Sequence, residues 1–152
     1  MNLVIGQGMG PAKFGMSEEE IIGLFGKADE REVEDYGDGK TLTLFYDNML
    51  TDFTFDLDED EDGNEVFKLS SLLCSNPDCT LDNKIHFGDS EDQVIKYTRS
   101  LKAADPQVEV DQETNERILY FDDLCMVAIF DHEGLAMLQI DYWDDADEEP
   151  ED

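Results

Sequence analysis

The chain repeats itself once, and this repeat constrains its fold more than any other feature of the sequence. Residues 14–22 (FGMSEEEII) return at 87–95 (FGDSEDQVI), a shift of 73 positions, and 45–48 (FYDN) return at 120–123 (YFDD), a shift of 75. A repeat of this length exceeds the period of about 20–50 residues found in solenoids and is long enough for a complete supersecondary unit. The sequence therefore predicts two tandem copies of one unit across nearly all of its 152 residues.

Each copy opens with a predicted helix that begins at a capping box. Ser17 is followed three residues later by Glu20, and Ser90 is followed in the same way by Gln93. In such a box the serine hydroxyl accepts a hydrogen bond from the N3 amide, and the N3 side chain accepts one from the cap amide. Acidic residues just after each serine favour the same assignment, because carboxylates are stabilised near the N-terminus of a helix. We expect the first helix to end at Gly26.

Four segments with the alternation and composition of β-strands follow each helix. They span residues 31–36, 41–46, 50–56 and 66–73, and then 107–111, 117–121, 124–130 and 135–142. Leu42, Leu44 and Tyr46 alternate with polar residues, as expected for an antiparallel sheet with one wet face. The predicted fold class is therefore α+β, with about eight antiparallel strands and one helix packed on the sheet per repeat. The two αββββ repeats are predicted at residues 1–75 and 76–143, and they are expected to share one compact unit.

The chain is strongly acidic, with 40 acidic and 10 basic residues and a formal net charge of −30. Such a field opposes direct association with nucleic acids and anionic membranes, and it favours basic partners. The same acidity also fits a highly soluble or salt-adapted surface, and the sequence leaves both interpretations open. Residues 144–152 are almost entirely acidic and are expected to form a disordered tail.

The sequence gives no indication of export or membrane insertion. No apolar run approaches the roughly 20 residues of a membrane span, and residues 1–5 (MNLVI) lack the basic segment and long apolar core of a signal peptide. We therefore expect a cytoplasmic protein, in which Cys74, Cys79 and Cys125 would be thiols. The Cys74-x4-Cys79 spacing, between the two copies, also permits a disulfide or a zinc site with His86. The CxxC pairs typical of zinc sites are absent.

An acidic segment between the third and fourth strands of the first copy has the first half of a calcium loop. Asp58, Asp60 and Asp62 could supply oxygen ligands, and Gly63 follows them. An EF-hand needs a bidentate Glu at the twelfth position, which here is Leu69. The equivalent segment of the second copy is a short turn. The segment is therefore interpreted as a lengthened acidic hairpin, with calcium binding by the three aspartates as a weaker alternative.

The glycines near the N-terminus do not predict a phosphate-binding loop. Gly6, Gly8 and Gly10 follow a short predicted strand at residues 3–5, but Pro11 comes next. A dinucleotide-binding loop leads directly into a helix, and here the first capping box comes later. The pattern predicts a turn.

Three segments carry a resemblance to a known fold: residues 14–17 (FGMS), 24–29 (LFGKAD) and 87–90 (FGDS). With the tandem repeat, they make the chain resemble the β-lactamase-inhibitor-protein-like fold. A single copy is also similar to the small lipoproteins of outer-membrane assembly. Inhibitors of that type are secreted and carry a disulfide in each half, whereas this chain lacks their cysteine pattern, and it has no lipobox. The resemblance implies a fold that grips other proteins through a concave sheet, and it does not carry over inhibition of β-lactamase.

The combined prediction is a non-enzymatic module that binds a basic protein through a sheet face and acidic loops. In its concrete form it is an immunity-type inhibitor that covers a toxin's cationic site, where acidic complementarity would speed association. Trp143 is included because binding hot spots favour tryptophan. The predicted partner-binding residues are Asp58, Glu59, Asp60, Glu61, Asp62 and Trp143.

Two other classes remain open, and an enzyme is the weakest class. The first alternative is a nucleic-acid mimic, which predicts carboxylates in paired rows on the structure. The second is a calcium-responsive module built on the three aspartates of the hairpin. We expect no cofactor and no catalysis, because neither His86 nor His132 has a Ser or Cys nucleophile at a recognisable spacing.

Overall fold

The computed structural model describes residues 1–37, 39–59 and 61–142, and within them the chain is α+β. Two helices, α1 (Glu18–Phe25) and α2 (Glu91–Ser100), accompany two sheets, and most of the regular structure is strand. Neither of these described helices is both long and apolar enough to cross a membrane. The predicted tail at residues 144–152 lies outside the described residues.

Thirteen strands form the two sheets. In chain order they are β1 (Asn2–Val4), β2 (Gly8–Met9), β3 (Ala12–Lys13), β4 (Glu30–Asp35), β5 (Lys40–Tyr46), β6 (Thr51–Glu59), β7 (Glu65–Cys74), β8 (Thr80–Leu81), β9 (Ile85–His86), β10 (Gln107–Val110), β11 (Arg117–Phe121), β12 (Met126–Asp131) and β13 (Gly134–Asp141). The large sheet has eight antiparallel strands in the order β10-β11-β12-β13-β7-β6-β5-β4. The small sheet has five strands in the order β3-β2-β1-β8-β9.

The large sheet is joined in its middle by the last strand of each half of the chain. β7 and β13 pair over four residues, from Ser71 opposite Asp141 to Cys74 opposite Leu138. Beyond these four residues, β7 forms hydrogen bonds with the loop before α1: the amide of Gly15 donates to the carbonyl of Leu69 at 2.8 Å. The corresponding loop before α2 bonds to β13 in the same way. Each helix is therefore tied at its N-terminus to a central strand.

The small sheet was not expected from the sequence, apart from a strand at residues 3–5. β1 is its central strand, antiparallel to β2 and parallel to β8, with Leu3 opposite both Met9 and Leu81. These three side chains are fully buried. The glycine segment predicted as a turn therefore contains β2, whose two residues are too few to produce a recognisable alternation.

One hydrophobic core joins both sheets and both helices. Every buried residue of the large sheet projects from the same face, because side chains alternate along a strand. Ile21 of α1, Val94 of α2 and Leu3 of β1 are fully buried in the same cluster. The helices and the small sheet therefore form one layer over one face of the large sheet.

Both predicted capping boxes are present. The Ser17 hydroxyl accepts a hydrogen bond from the Glu20 amide at 3.1 Å, and the Glu20 carboxylate accepts one from the Ser17 amide at 2.9 Å. Ser90 and Gln93 form the same pair of bonds at 3.2 and 2.8 Å. Gly26 caps the first helix with φ of 88°, as its position predicted.

Each of the eight predicted strands corresponds to an observed strand of the large sheet, with ends that differ by up to three residues. Two of the late starts have a structural cause in a preceding turn. A 3-10 turn at Asp47–Met49 is followed by Leu50 in the left-handed conformation, with φ of 52°, so β6 begins at Thr51 instead of residue 50. The same arrangement at Asp122–Leu124 places Cys125 at φ of 52° and delays β12 to Met126 instead of residue 124.

Candidate protein-binding surface

The face of the large sheet opposite the helices is covered by no element that the structure describes. We call it the open face. Strand registers define its members: for example, Glu30, Phe45, Asp52 and Leu73 lie side by side across β4, β5, β6 and β7. Residues directly opposite each other in antiparallel strands project from the same face. None of the open-face side chains is fully buried, in contrast to those of the covered face.

Carboxylates dominate the charged groups of the open face. In the described strands Lys68 is the one cation on this face, and its ammonium nitrogen lies 3.7 Å from a carboxylate oxygen of Asp58. Both side chains are about half exposed, so this pair contributes little stability. The open-face carboxylates are Glu30, Glu32, Glu34, Asp52, Asp56, Asp58, Glu109, Asp131 and Asp141.

The arginines of the large sheet lie on the covered face and are paired with the helices. Arg31 donates to both carboxylate oxygens of Glu18, at 2.6 and 3.2 Å. Arg117 donates to Glu91 at 2.6 Å. Glu18 and Glu91 are the first residues of their helices, so each arginine fastens a helix N-terminus to a strand. Most of the positive charge of the sheet is therefore on one side, and most of its negative charge is on the other.

An apolar patch lies mainly on the second half of the open face and reaches the first half at Leu73 of β7 and Phe45 of β5. Val127 lies between Tyr120 and Gln139, and Ile129 lies between Ile118 and Met137 in the neighbouring row. The Tyr120 hydroxyl donates to Glu109 at 2.7 Å, and this hydrogen bond is the main reason that the pKa of Tyr120 is raised. The patch consists of half-buried side chains, namely Phe45, Leu73, Ile118, Tyr120, Val127, Ile129 and Met137.

Asp52 lies where the carboxylates meet the apolar patch. Its register neighbours are Phe45 and Leu73. Burial raises the pKa of Asp52, and the nearby Asp47 carboxylate raises it further. All basic residues of the chain lie in the described part, and none of them forms an ion pair with Asp52 there.

A cleft of about 270 Å³ opens beside this residue, with Asp52, Leu73 and Met137 among its lining side chains. It therefore combines a negative charge that this chain does not neutralise with apolar walls. Such a site can receive the charged end and the aliphatic stem of a lysine or arginine side chain.

The predicted acidic hairpin joins β6 to β7, and Glu59 pairs with Glu65 at its end. Asp58 and Glu59 end β6, and Glu61 and Asp62 follow it as exposed residues. Asp58 has Lys68 as its ion partner, and its carboxylate also accepts the Glu59 amide at 2.8 Å. The predicted site residues Asp60 and Trp143 lie outside the described residues.

No metal centre is evident in the part of the chain that the structure describes. Within residues 1–37, 39–59 and 61–142, no three His, Cys, Asp or Glu side chains converge as ligands. Calcium binding by Asp58, Asp60 and Asp62 stays a prediction, since Asp60 is outside those ranges. A melting temperature that does not change with added calcium would end it.

The cysteines at the predicted junction are buried thiols. Cys74 is the last residue of β7, so it belongs to the central strand and not to the connector, and Cys79 directly precedes β8. Burial raises the pKa of Cys74 to about 11, and the neighbouring Cys79 thiol raises it as well. A thiol with so high a pKa is a poor nucleophile and a poor metal ligand at neutral pH.

Both histidines lie at the surface, whereas the thiols of Cys74 and Cys79 are buried. His86 faces Asp89 at 4.0 Å, and His132 faces Glu133 at 3.6 Å. His132 also lines an acidic cleft of about 470 Å³ with Glu91 and Asp131. Among the described residues, neither imidazole is hydrogen-bonded to a hydroxyl or thiol that could act as a nucleophile.

No protein-family model, curated protein or solved structure matches this chain.

Apart from Asp58, the open-face carboxylates of β4 and β6 were not singled out in the sequence, although a signal was present. The segment that forms β4 reads EREVED, with glutamates at every second position. Alternate residues of a strand share a face, so this period of two already predicts a row of carboxylates. Which carboxylates of different strands lie side by side depends on strand register, which the sequence does not contain.

Proposed function

We propose that this chain is a non-enzymatic protein-binding module, that its partner is a basic protein, and that the open face is the contact surface. The observation that carries the proposal is the separation of charge across the large sheet. Nine carboxylates and one lysine lie on the open face, while Arg31 and Arg117 are paired on the covered face. In its concrete form the protein is an immunity-type inhibitor that covers the cationic site of a toxin.

The apolar and the acidic parts of the open face are proposed to contribute differently to binding. The apolar patch, centred on Val127 and Ile129, supplies contact area that is removed from water. The carboxylates steer a cationic partner toward the surface and select against acidic ones. Eight strands about 4.8 Å apart and on average about seven residues long cover roughly 34 by 24 Å. This area is close to the roughly 800 Å² that each partner buries in a typical stable complex.

We also propose that the chain is a duplication, with αββββ repeats at residues 1–75 and 76–143. Several local features recur at equivalent positions and support this. Gly15 and Gly88 both have φ of 97°, and each lies two residues before the N-cap serine of a helix. Leu50 and Cys125 both have φ of 52° after a 3-10 turn. The likeness to the β-lactamase-inhibitor-protein-like fold belongs to the same proposal.

The acidic hairpin and Trp143 keep a supporting role in this proposal. Asp58, Glu61 and Asp62 extend the negative charge of the open face beyond the end of β6, so they would accelerate encounter more than they hold the complex. Trp143, which comes two residues after β13 in the sequence, is proposed as an aromatic contact. We propose the cytoplasm as the compartment, because it would keep the thiols of Cys74 and Cys79 reduced.

Affinity capture at two ionic strengths tests the proposed function. The immobilised full chain is exposed to extract from the source cells at about 50 mM salt and then washed at about 300 mM. We expect a basic protein to be retained at the lower salt and its dissociation constant to rise at least tenfold at the higher, since screening weakens charge complementarity. Retention of no protein, or of one whose affinity ignores salt, would contradict the proposal.

A further inference from the structure

The carboxylates of the open face form two rows on alternate strands. Glu30, Glu32 and Glu34 make one row along β4, because they face Phe45, Thr43 and Thr41 of β5. The second row runs along β6. It consists of Asp52, Asp56 and Asp58, and Asp52 and Asp56 lie opposite the same strand β5 from its other side.

The spacing within and between the rows follows from strand geometry. Carboxylates two residues apart on a strand, as along β4 and at Asp56 and Asp58, are separated by about 6.7 Å, twice the rise of about 3.3–3.4 Å per residue. Asp52 and Asp56 are four residues apart, with Thr54 between them, and are therefore separated by about 13 Å. The rows themselves are separated by two interstrand distances, or about 10 Å. Between them β5 presents Thr41 and Thr43, which carry no charge. The surface is therefore a neutral strip with a line of negative charges on each side.

A nucleic acid presents the same kind of surface to a protein. Successive phosphates of one strand follow a helical backbone, so their separation in space exceeds the axial rise of about 3.4 Å per charge and is comparable with the spacing on β4. Two such lines of phosphates border each groove of a duplex. The minor groove is about 6 Å wide and the major groove about 12 Å wide, and the separation of about 10 Å between the two rows lies between these widths. A protein site built to contact phosphates could accept these carboxylates in their place.

Most carboxylates of the rows, like the phosphates of a nucleic acid, form no ion pair with a basic group of the same molecule. The Lys68–Asp58 contact at 3.7 Å is the one ion pair that involves either row in the described residues. Tyr36 donates to Glu34 at 2.7 Å and leaves its charge in place. The carboxylates of the covered face at Glu18 and Glu91 are instead neutralised by arginines. Five of the six row carboxylates therefore form no ion pair within the described residues, and their charge is available to a partner.

From this geometry we infer that the basic partner is a nucleic-acid-binding protein and that the two rows occupy its phosphate-binding site. The inference rests on the proposed function and adds the chemical class of the partner. The partner's lysines and arginines contact Glu30, Glu32 and Glu34 on one side and Asp52 and Asp56 on the other. Binding to this chain and binding to nucleic acid are therefore mutually exclusive. The apolar patch beside the rows adds contact area that a nucleic acid does not provide.

Competitive elution tests the inference on the captured protein. The complex is formed on the immobilised full chain at about 50 mM salt and challenged separately with a 20-base-pair DNA duplex, a 20-base-pair RNA duplex and polyglutamate, each at the same charge concentration. We expect one of the duplexes to release the partner at a concentration at least tenfold below that required of polyglutamate. Equal release by all three polyanions would overturn the inference, because charge alone would then explain binding.

A pair of variants with equal charge tests whether the rows are the contact. The row variant carries Glu30→Gln, Glu32→Gln and Glu34→Gln. The control carries Glu19→Gln, Asp92→Asn and Glu113→Gln, which remove the same charge from exposed positions on α1, on α2 and in the β10–β11 loop, outside both rows. Circular dichroism melts establish that both variants are folded.

We expect the row variant to weaken partner binding at least tenfold and the control to weaken it less than threefold. An equal loss in both variants would overturn the inference, and so would full binding by the row variant. Capture of no protein by the wild-type chain is a different result, because it contradicts the proposed function itself. A captured protein that nucleic acid does not displace refutes only the nucleic-acid-binding class.

Discussion

Replacing Tyr46 with phenylalanine isolates one hydrogen bond that fastens α1 to the large sheet. The Tyr46 side chain is 2% exposed, and its hydroxyl donates to the carbonyl of Gly26, the residue that ends α1, at 2.7 Å. The ring packs edge-on against Phe25 at 6.0 Å and Phe53 at 5.7 Å between centroids. Tyr46→Phe removes the hydroxyl and keeps both ring contacts.

The structure sets the size of the expected loss. One neutral hydrogen bond contributes about 0.5–1.5 kcal/mol net, and an acceptor left without its donor adds a cost unless water reaches it. Gly26 is exposed, so water can solvate its carbonyl in the variant. We therefore expect Tyr46→Phe to lower the free energy of unfolding by about 1 kcal/mol. For a chain of this size that corresponds to a decrease in melting temperature of about 2–4 °C.

Urea denaturation followed by circular dichroism measures this change, with Tyr46→Leu as the matched comparison. The leucine variant also loses the aromatic contacts and should cost clearly more, about 2–4 kcal/mol. Phe121 occupies the corresponding place before the second 3-10 turn and is 1% exposed without a hydroxyl, so a phenylalanine is compatible with this position. Equal stability of wild type and Tyr46→Phe would refute the role of the hydrogen bond. Equal loss in both variants would show that the ring packing had been misjudged.

Three further predictions follow from the charges and the backbone. Asp52→Asn should stabilise the fold at pH 7 by less than about 1 kcal/mol, because the raised pKa of Asp52 means that its charge disfavours the native state. Protonation of Asp52 at low pH removes the same cost from the wild type, so the stability difference between the two proteins should be present at pH 7 and absent at pH 3 in urea denaturation. A variant less stable than the wild type at pH 7 would contradict this. Raising salt from about 50 to 500 mM should increase the melting temperature by several degrees, since it screens repulsion within a chain of net charge −30; calorimetry showing no increase would argue against that repulsion. Gly134→Ala should lower the free energy of unfolding by more than about 2 kcal/mol, because the φ of Gly134 is 109° and a Cβ would lie 2.3 Å from the Gly88 carbonyl oxygen. Gly63 also has a positive φ but has open space around it, so Gly63→Ala should lower the free energy of unfolding by only about 1 kcal/mol. Equal urea midpoints for the two variants would be inconsistent with the clash.

Local signals in the sequence were sufficient for the helices and for most strands. A capping box needs only residues three apart, so Ser17 with Glu20 and Ser90 with Gln93 specified both helix starts. The small sheet escaped prediction for the opposite reason. Four of its five strands contain two residues each, and they are held by pairing between distant segments, such as Leu3 with Leu81. No window of sequence contains that information.

The candidate surface was predictable only in part. The sequence directed attention to the acidic hairpin around Asp58, where charge is dense along the chain. The large sheet instead gathers charge across strands, as when Glu30 on β4 and Asp52 on β6 lie on either side of Phe45. Such a surface depends on strand register and on which face the helices cover. Both are set by long-range packing, and here by the short seam between β7 and β13.

Carboxyl footprinting tests the central claim that the open face binds a basic protein. The chain is treated with a water-soluble carbodiimide and an amine, alone and in complex with its captured partner, and labelling is read by mass spectrometry. We predict strong protection of Glu30, Glu32, Glu34 and Asp56 in the complex and unchanged labelling of Glu19, which is exposed on α1. Protection confined to α1 and α2, or unchanged labelling of the open-face carboxylates in a stable complex, would contradict the account.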